Sequence, residues 1–209
     1  MNSLHVLPLQ PESFVMLVNQ LKNHKDQADI FEIWLDTMRV KGDLAVIQKH
    51  FKKPMIAKSN SLDLLKRGAK AGFTYVDVPH NLEVDVEFQT LVKNKGTKII
   101  RSYHNFDITP AHSELQEILI EMKGKGADFL KISTMVHSDD DSQTLLSLLH
   151  LPHYKDKLII TGLGELSREV RIKAPVYGSV FYYAPLSIEF ASAPGQITKD
   201  ELENEWDLI

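Results

Sequence analysis

The chain has 209 residues, 43% of them hydrophobic and 25% charged, an ordinary globular balance at a length that suits one domain with a sizeable core. Its formal net charge of -4 leaves no basic surplus for nucleic acid or an anionic membrane, and no stretch approaches the roughly 18 apolar residues of a membrane span. With no cysteine, disulfides and thiolate metal or redox sites are excluded, which agrees with a reducing compartment.

The opening run Met1-Asn2-Ser3-Leu4-His5-Val6-Leu7-Pro8 lacks the basic start and long apolar core of a signal peptide, so a soluble cytoplasmic protein acting on small molecules is expected. Short apolar runs then alternate with longer amphipathic ones, the pattern of strand-helix units around a parallel sheet. Strands are predicted over 4–9, 30–35, 54–57, 74–78, 98–103, 128–132, 157–161 and 176–181, and helices over 11–23, 43–51, 61–71, 110–123, 140–149 and 166–173. Thr109-Pro110, Ser61 and the run Asp139-Asp140-Asp141 read as helix starts, and Gly68, Gly72, Gly96, Gly124 and Gly126 as punctuation near helix ends. The acidic run from Lys199 to Trp206 reads as a terminal helix, with Trp206 packed on the barrel or on a second subunit.

Eight such units predict an α/β fold, a (β/α)8 TIM barrel with short loops occupying residues 1–209 as a single domain, since about 250 residues is usual. A doubly wound sheet is the competing fold, but neither Gly-x-Gly-x-x-Gly nor a Walker pattern follows any strand; Gly162-Leu163-Gly164 alone is a weak signal.

In a barrel the reacting groups gather where strands give way to helices. The polar residues there are Glu32, Asp36, Asp77, His104, Lys131, Thr161, Ser167, Arg168, Ser192 and Gln196. Lys131 lies in the apolar strand Ala127-Asp128-Phe129-Leu130-Lys131-Ile132, where an ammonium is costly unless it is paired, neutral or used. Taken alone it reads as a snorkelling or ion-paired lysine, and His104 as a hydrogen-bonded loop histidine. On adjacent fifth and sixth strands, however, the two would make a proton shuttle beside a nucleophilic amine.

The segments Ser102-Tyr103-His104-Asn105-Phe106, Ala127-Asp128-Phe129-Leu130-Lys131-Ile132, Thr161-Gly162 with Ser167-Arg168, Gly178-Ser179 and Ser192-Ala193-Pro194-Gly195-Gln196 together resemble type I 3-dehydroquinate dehydratase, in order along most of the chain. The resemblance implies a barrel, usually dimeric, acting in the shikimate pathway of aromatic amino acid biosynthesis with no cofactor and no metal. It implies that Lys131 forms an imine with the C3 ketone of 3-dehydroquinate and that His104 is the general acid/base. Arg168 would clamp the substrate carboxylate through its planar fork, while Ser192 and Gln196 lie in a loop that closes over the substrate. Glu32 matches the family's Glu-x-Arg-x-Asp motif on the second strand, and Trp34 stands among the substrate contacts where that motif has arginine.

Other departures fall on the same side. The third strand, Pro54-Met55-Ile56-Ala57-Lys58-Ser59-Asn60, lacks the family's Thr-x-Arg ending and the Glu-Gly-Gly loop, leaving Lys58 as a cation from a shifted position. After the fourth strand Asp77-Val78-Pro79 has proline where a glutamate is usual. The leading expectation is therefore a Schiff-base dehydratase of 3-dehydroquinate, acting as a homodimer. The rivals are a lysine-imine lyase or aldolase on another hydroxy-ketone, and a barrel that binds a small acid or a partner protein without turnover. A metal-dependent hydrolase is disfavoured, because His-x-His and His-Glu-x-x-His are both absent.

Overall fold

The computed structural model describes residues 3–39 and 42–208. In chain order the elements are β1 (Leu4–Leu9), α1 (Phe14–His24), β2 (Ile30–Trp34), α2 (Leu44–His50), β3 (Met55–Lys58), α3 (Leu62–Lys70), β4 (Tyr75–Pro79), α4 (Val86–Lys95), β5 (Lys98–Asn105), α5 (His112–Gly124), β6 (Phe129–Met135), α6 (Asp139–Ser147), β7 (Leu158–Leu163), α7 (Arg168–Val176), β8 (Phe181–Tyr183) and α8 (Lys199–Trp206). The strands form one sheet in the order β7-β6-β5-β4-β3-β2-β1-β8. Val180, just ahead of β8, donates to the Leu158 carbonyl of β7 at 2.9 Å and accepts from the Leu4 N–H of β1 at 3.0 Å, so the sheet returns on itself. This is the (β/α)8 class expected from the strand-helix alternation.

Two compact units make up the chain, residues 6–100 and residues 101 onward together with the first residues through His5. In the N-terminal unit the strands are apolar on both faces, with Ile30, Phe31, Ile33, Met55, Ile56, Ala57, Val76 and Val78 all buried, as parallel strands covered by helices should be. Helix α3 lies so close to β3 that a Cβ at Gly68 would collide with that of Ala57. Gly68 is therefore a packing glycine in mid-helix, not the helix end read from the sequence. Helix α4 was missing from the sequence reading. Asp85 caps it by accepting from the Phe88 N–H at 2.7 Å and Gly96 ends it at φ 67, but it buries only Phe88 and Val92, too thin a stripe for periodicity to register.

In the C-terminal unit Leu130 and Ile132 of β6, with Leu158 and Ile160 of β7, pack against Leu115, Leu119 and Met122 of α5, Leu145 of α6, and Val170 and Ala174 of α7. Each of these buried Leu, Ile, Val and Met side chains contributes about 1.5–3 kcal/mol on burial. Two local expectations need correction here and a third holds. Ala111, not Thr109, sits at the N-cap of α5; the Thr109 hydroxyl instead bonds Thr134 Oγ1 at 2.8 Å and donates to the Met135 carbonyl at 2.7 Å. The aspartate run starts a helix as expected, α6 beginning at Asp139 with all three acids in its first turn and Ser138 capping it in a reciprocal box with Asp141. The last strand begins at Phe181, not 176, because α7 continues through Pro175 to Val176 and Gly178, at φ 108, turns the chain. Helix α8 falls on its expected residues, and Trp206 donates to the Ile172 carbonyl at 2.8 Å while meeting Tyr182 edge-on at 4.9 Å.

Candidate active site

The alternation of β6 decides where Lys131 points. Leu130 and Ile132 face the helices, so Phe129, Lys131 and Ser133 face the other way, since successive side chains on a strand alternate. Across the parallel pairing Lys131 sits beside Ile159 and Ser133 beside Thr161. Lys131 is only 4% exposed, and its Nζ lies 4.0 Å from the centroid of the Tyr183 ring on β8. An aromatic face is a favourable partner for a desolvated ammonium that does not consume the lone pair of the neutral amine.

His104 is the penultimate residue of β5, the neighbour of β6 in the sheet, and its ring stacks on Phe106 at 6.1 Å. The chain just beyond it is well anchored. Asn105 Oδ1 accepts from the Asp107 and Ile108 N–H groups at 2.9 and 3.0 Å, and His137 Nε2 meets the Asp107 carbonyl at 2.7 Å. Together with the Thr109 bonds to Thr134 and Met135, these tie the loop after His104 to the end of the lysine strand.

Ser192 and Gln196 come together in one folded segment. Gln196 Oε1 accepts from the Ser192 N–H at 2.6 Å, the Ala193 N–H at 3.3 Å and the Ser192 hydroxyl at 3.3 Å. Arg168, at the start of α7, donates through Nη2 to Glu205 Oε1 of α8 at 2.7 Å, so the structure pairs the expected carboxylate clamp with a carboxylate of its own chain. Ser167 is fully buried and donates to the Gly164 carbonyl at 2.6 Å.

The N-terminal unit holds a separate polar row. Pairing of β2, β3 and β4 sets Trp34 beside Lys58 and Lys58 beside Asp77, so the three share one face. Lys58 Nζ is 3.4 Å from Asp77 Oδ2 and 5.2 Å from the centroid of the Trp34 ring, and Trp34 Nε1 donates to Glu32 Oε1 at 2.9 Å. Glu32 and Asp77 are 2% and 1% exposed. Asp36 accepts from the Ser59 hydroxyl at 2.9 Å and the Asn60 N–H at 3.1 Å, fixing the turn after β3. Glu32 and Trp34, predicted as site residues, are thus brought together with Lys58 and Asp77. Tyr183 lies beyond the strand expected over 176–181, since β8 spans Phe181–Tyr183; alternation in Phe181-Tyr182-Tyr183 is the sequence signal for it.

Among the described residues no group of three or more His, Asp or Glu side chains is arranged to hold a metal, and no helix is long and apolar enough to cross a membrane. By class this is a (β/α)8 barrel with a buried lysine on its sixth strand. The type I 3-dehydroquinase family model matches residues 6–209, and the chain belongs to that family. It is 30% identical over 224 residues to the 3-dehydroquinate dehydratase of Methanococcus maripaludis strain C7, covering 97% of this chain and 98% of that one. The 3-dehydroquinate dehydratase of Methanocaldococcus jannaschii is likewise 30% identical, over 220 residues and 97% of each chain. Among solved structures, the type I 3-dehydroquinate dehydratase of Clostridium difficile, with covalently modified comenic acid, superposes with a TM-score of 0.84 at 23% identity, over 99% of this chain and 92% of that one.

Proposed function

We propose that this chain is a shikimate-pathway dehydratase that converts 3-dehydroquinate to 3-dehydroshikimate through an imine at Lys131. The observation that carries the reading is the lysine buried on the non-helical face of β6, its Nζ against the Tyr183 ring, next to the strand that carries His104 near its end. The neutral amine adds to the C3 ketone and the carbinolamine loses water, leaving a protonated imine. That cation draws electrons from the neighbouring carbon far better than a ketone does, so the C2 proton is removed and the C1 hydroxyl departs, protonated, as water. Hydrolysis of the imine then releases product and restores the lysine. His104 accepts and returns the protons in these steps.

Arg168, Ser192, Gln196, Glu32 and Trp34 serve as substrate contacts in this reading. Arg168 takes the substrate carboxylate by exchanging it for Glu205. Family membership supports a homodimer working in the cytoplasm, a state that sedimentation of the purified protein tests. The Trp34, Lys58 and Asp77 row favours a second reading, the same imine chemistry on a related hydroxy-ketone, because a tryptophan face and one ammonium recognise hydroxyls differently from two arginine forks.

One experiment separates the two. Intact mass is measured after incubation with 3-dehydroquinate and borohydride, alongside the ultraviolet absorbance of the conjugated product. The dehydratase gives both a reduced adduct and product, and Lys131→Ala gives neither. An adduct without product points to the altered substrate, and absence of both rejects the imine.

A further inference from the structure

We propose that Arg171 is a positioning residue that latches the 192–196 segment onto the Gly164 turn and so sets how Ser192 and Gln196 meet the substrate; what that segment contacts rests on the dehydratase reading above. Arg171 lies on α7 one turn after Arg168, where a helical arginine ordinarily lies on a solvated face. Here it is 5% exposed. Its Nε donates to Ser167 Oγ at 3.2 Å and its Nη2 to the Pro194 carbonyl at 3.3 Å, while Nη1 is buried with no partner among the described residues.

Burial alone pushes this guanidinium down to about 10, with no carboxylate acting on it, so it remains charged at neutral pH. A buried, unpaired cation is costly, and an apolar side chain of similar volume would fill the space without that cost. What the charge does hold is a single segment. The Pro194 carbonyl receives both Arg171 and the Gly164 N–H at 3.1 Å, and Ser167, which accepts from Arg171, donates in turn to the Gly164 carbonyl. Gly195 approaches so closely that a Cβ there would collide with the Gly164 carbonyl, and its φ of 73 favours glycine in any case. Arg171, Ser167, Gly164 and Pro194 therefore form a closed set of contacts, and the segment so held is the one that folds around the Gln196 amide.

The test compares Arg171→Gln and Arg171→Lys with the parent protein by amide hydrogen exchange and by steady-state kinetics. In Arg171→Gln the amides of Gly164, Ser192 and Ala193 are expected to exchange about tenfold faster or more, with those of Leu130 and Ile132 in β6 unchanged. KM for 3-dehydroquinate is expected to rise roughly 10- to 100-fold with kcat falling less than about fivefold, and Arg171→Lys to recover most of kcat/KM. A merely structural arginine would instead loosen β6 together with the segment and leave KM in place. That result, or unchanged exchange at the three loop amides, overturns the proposal. If the parent protein forms neither adduct nor product, the dehydratase reading fails and the exchange measurement alone decides the latch.

Discussion

The two compact units treat their polar groups differently. In the C-terminal unit the candidate site residues sit in defined chemical settings: Lys131 against an aromatic face, His104 near an anchored strand end, Ser192 and Gln196 bonded to one another. In the N-terminal unit Trp34, Lys58 and Asp77 form a row on one face of the sheet, a tryptophan ring and a carboxylate on either side of an ammonium. The proposed imine chemistry needs one amine and one proton carrier in fixed places, whereas recognition of hydroxyl groups has several solutions. On the proposed mechanism, substitutions beside the lysine should therefore act on kcat and those in the N-terminal row on KM.

The sharpest way to break this comparison is to remove the amine. Lys131→Ala is expected to lower kcat by roughly 10⁴-fold or more and to abolish the borohydride-trapped mass, because no neighbouring group replaces a nucleophile. His104→Gln comes next, with kcat expected to fall about 10²- to 10⁴-fold. At long incubation the Lys131 adduct should still be trapped. A His104→Gln protein that turned over normally would remove the histidine from the proposed mechanism.

The N-terminal row should respond in KM first. Lys58→Gln is expected to raise KM about 10- to 100-fold with a smaller change in kcat, the size of one charge-assisted contact. It should also lower stability, because Asp77 is 1% exposed and loses a cation 3.4 Å away. Were KM to stay constant while the thermal midpoint fell, Lys58 would be an ion-pair partner alone and the contrast between the units would narrow.

Much of this organisation was legible in the residues because barrel strands are short apolar runs and a charged residue within one is conspicuous. Lys131 stands out on that ground, and α8 from the acidic run Lys199 to Trp206. What escaped depends on neighbours far along the chain. Tyr183 gains its meaning only by lying against Lys131, and Arg171 reads as a surface residue until Pro194 and Ser167 close around it. The pairing of Arg168 with Glu205 joins residues 37 apart that no local pattern connects.

That last pair yields the smallest expected effect and the finest test of the C-terminal unit. The bridge is half exposed, with side chains 47% and 35% accessible, so Glu205→Gln should change stability by no more than about 1 kcal/mol. Its effect on KM depends on what the carboxylate does. If Glu205 merely occupies the fork that the substrate carboxylate requires, removing its charge should lower KM about two- to fivefold, and added salt should lower KM of the parent protein in the same direction. Glu201, whose carboxyl is held below its usual range first by the Thr198 N–H and hydroxyl and only last by Arg168, stays in place and keeps part of the local negative charge. If Glu205 instead orients the guanidinium, the same substitution should raise KM, and Arg168→Lys should then be insensitive to it, because an ammonium has no fork to orient. The sign of one KM change therefore decides whether α8 competes with the substrate or aims the residue that receives it.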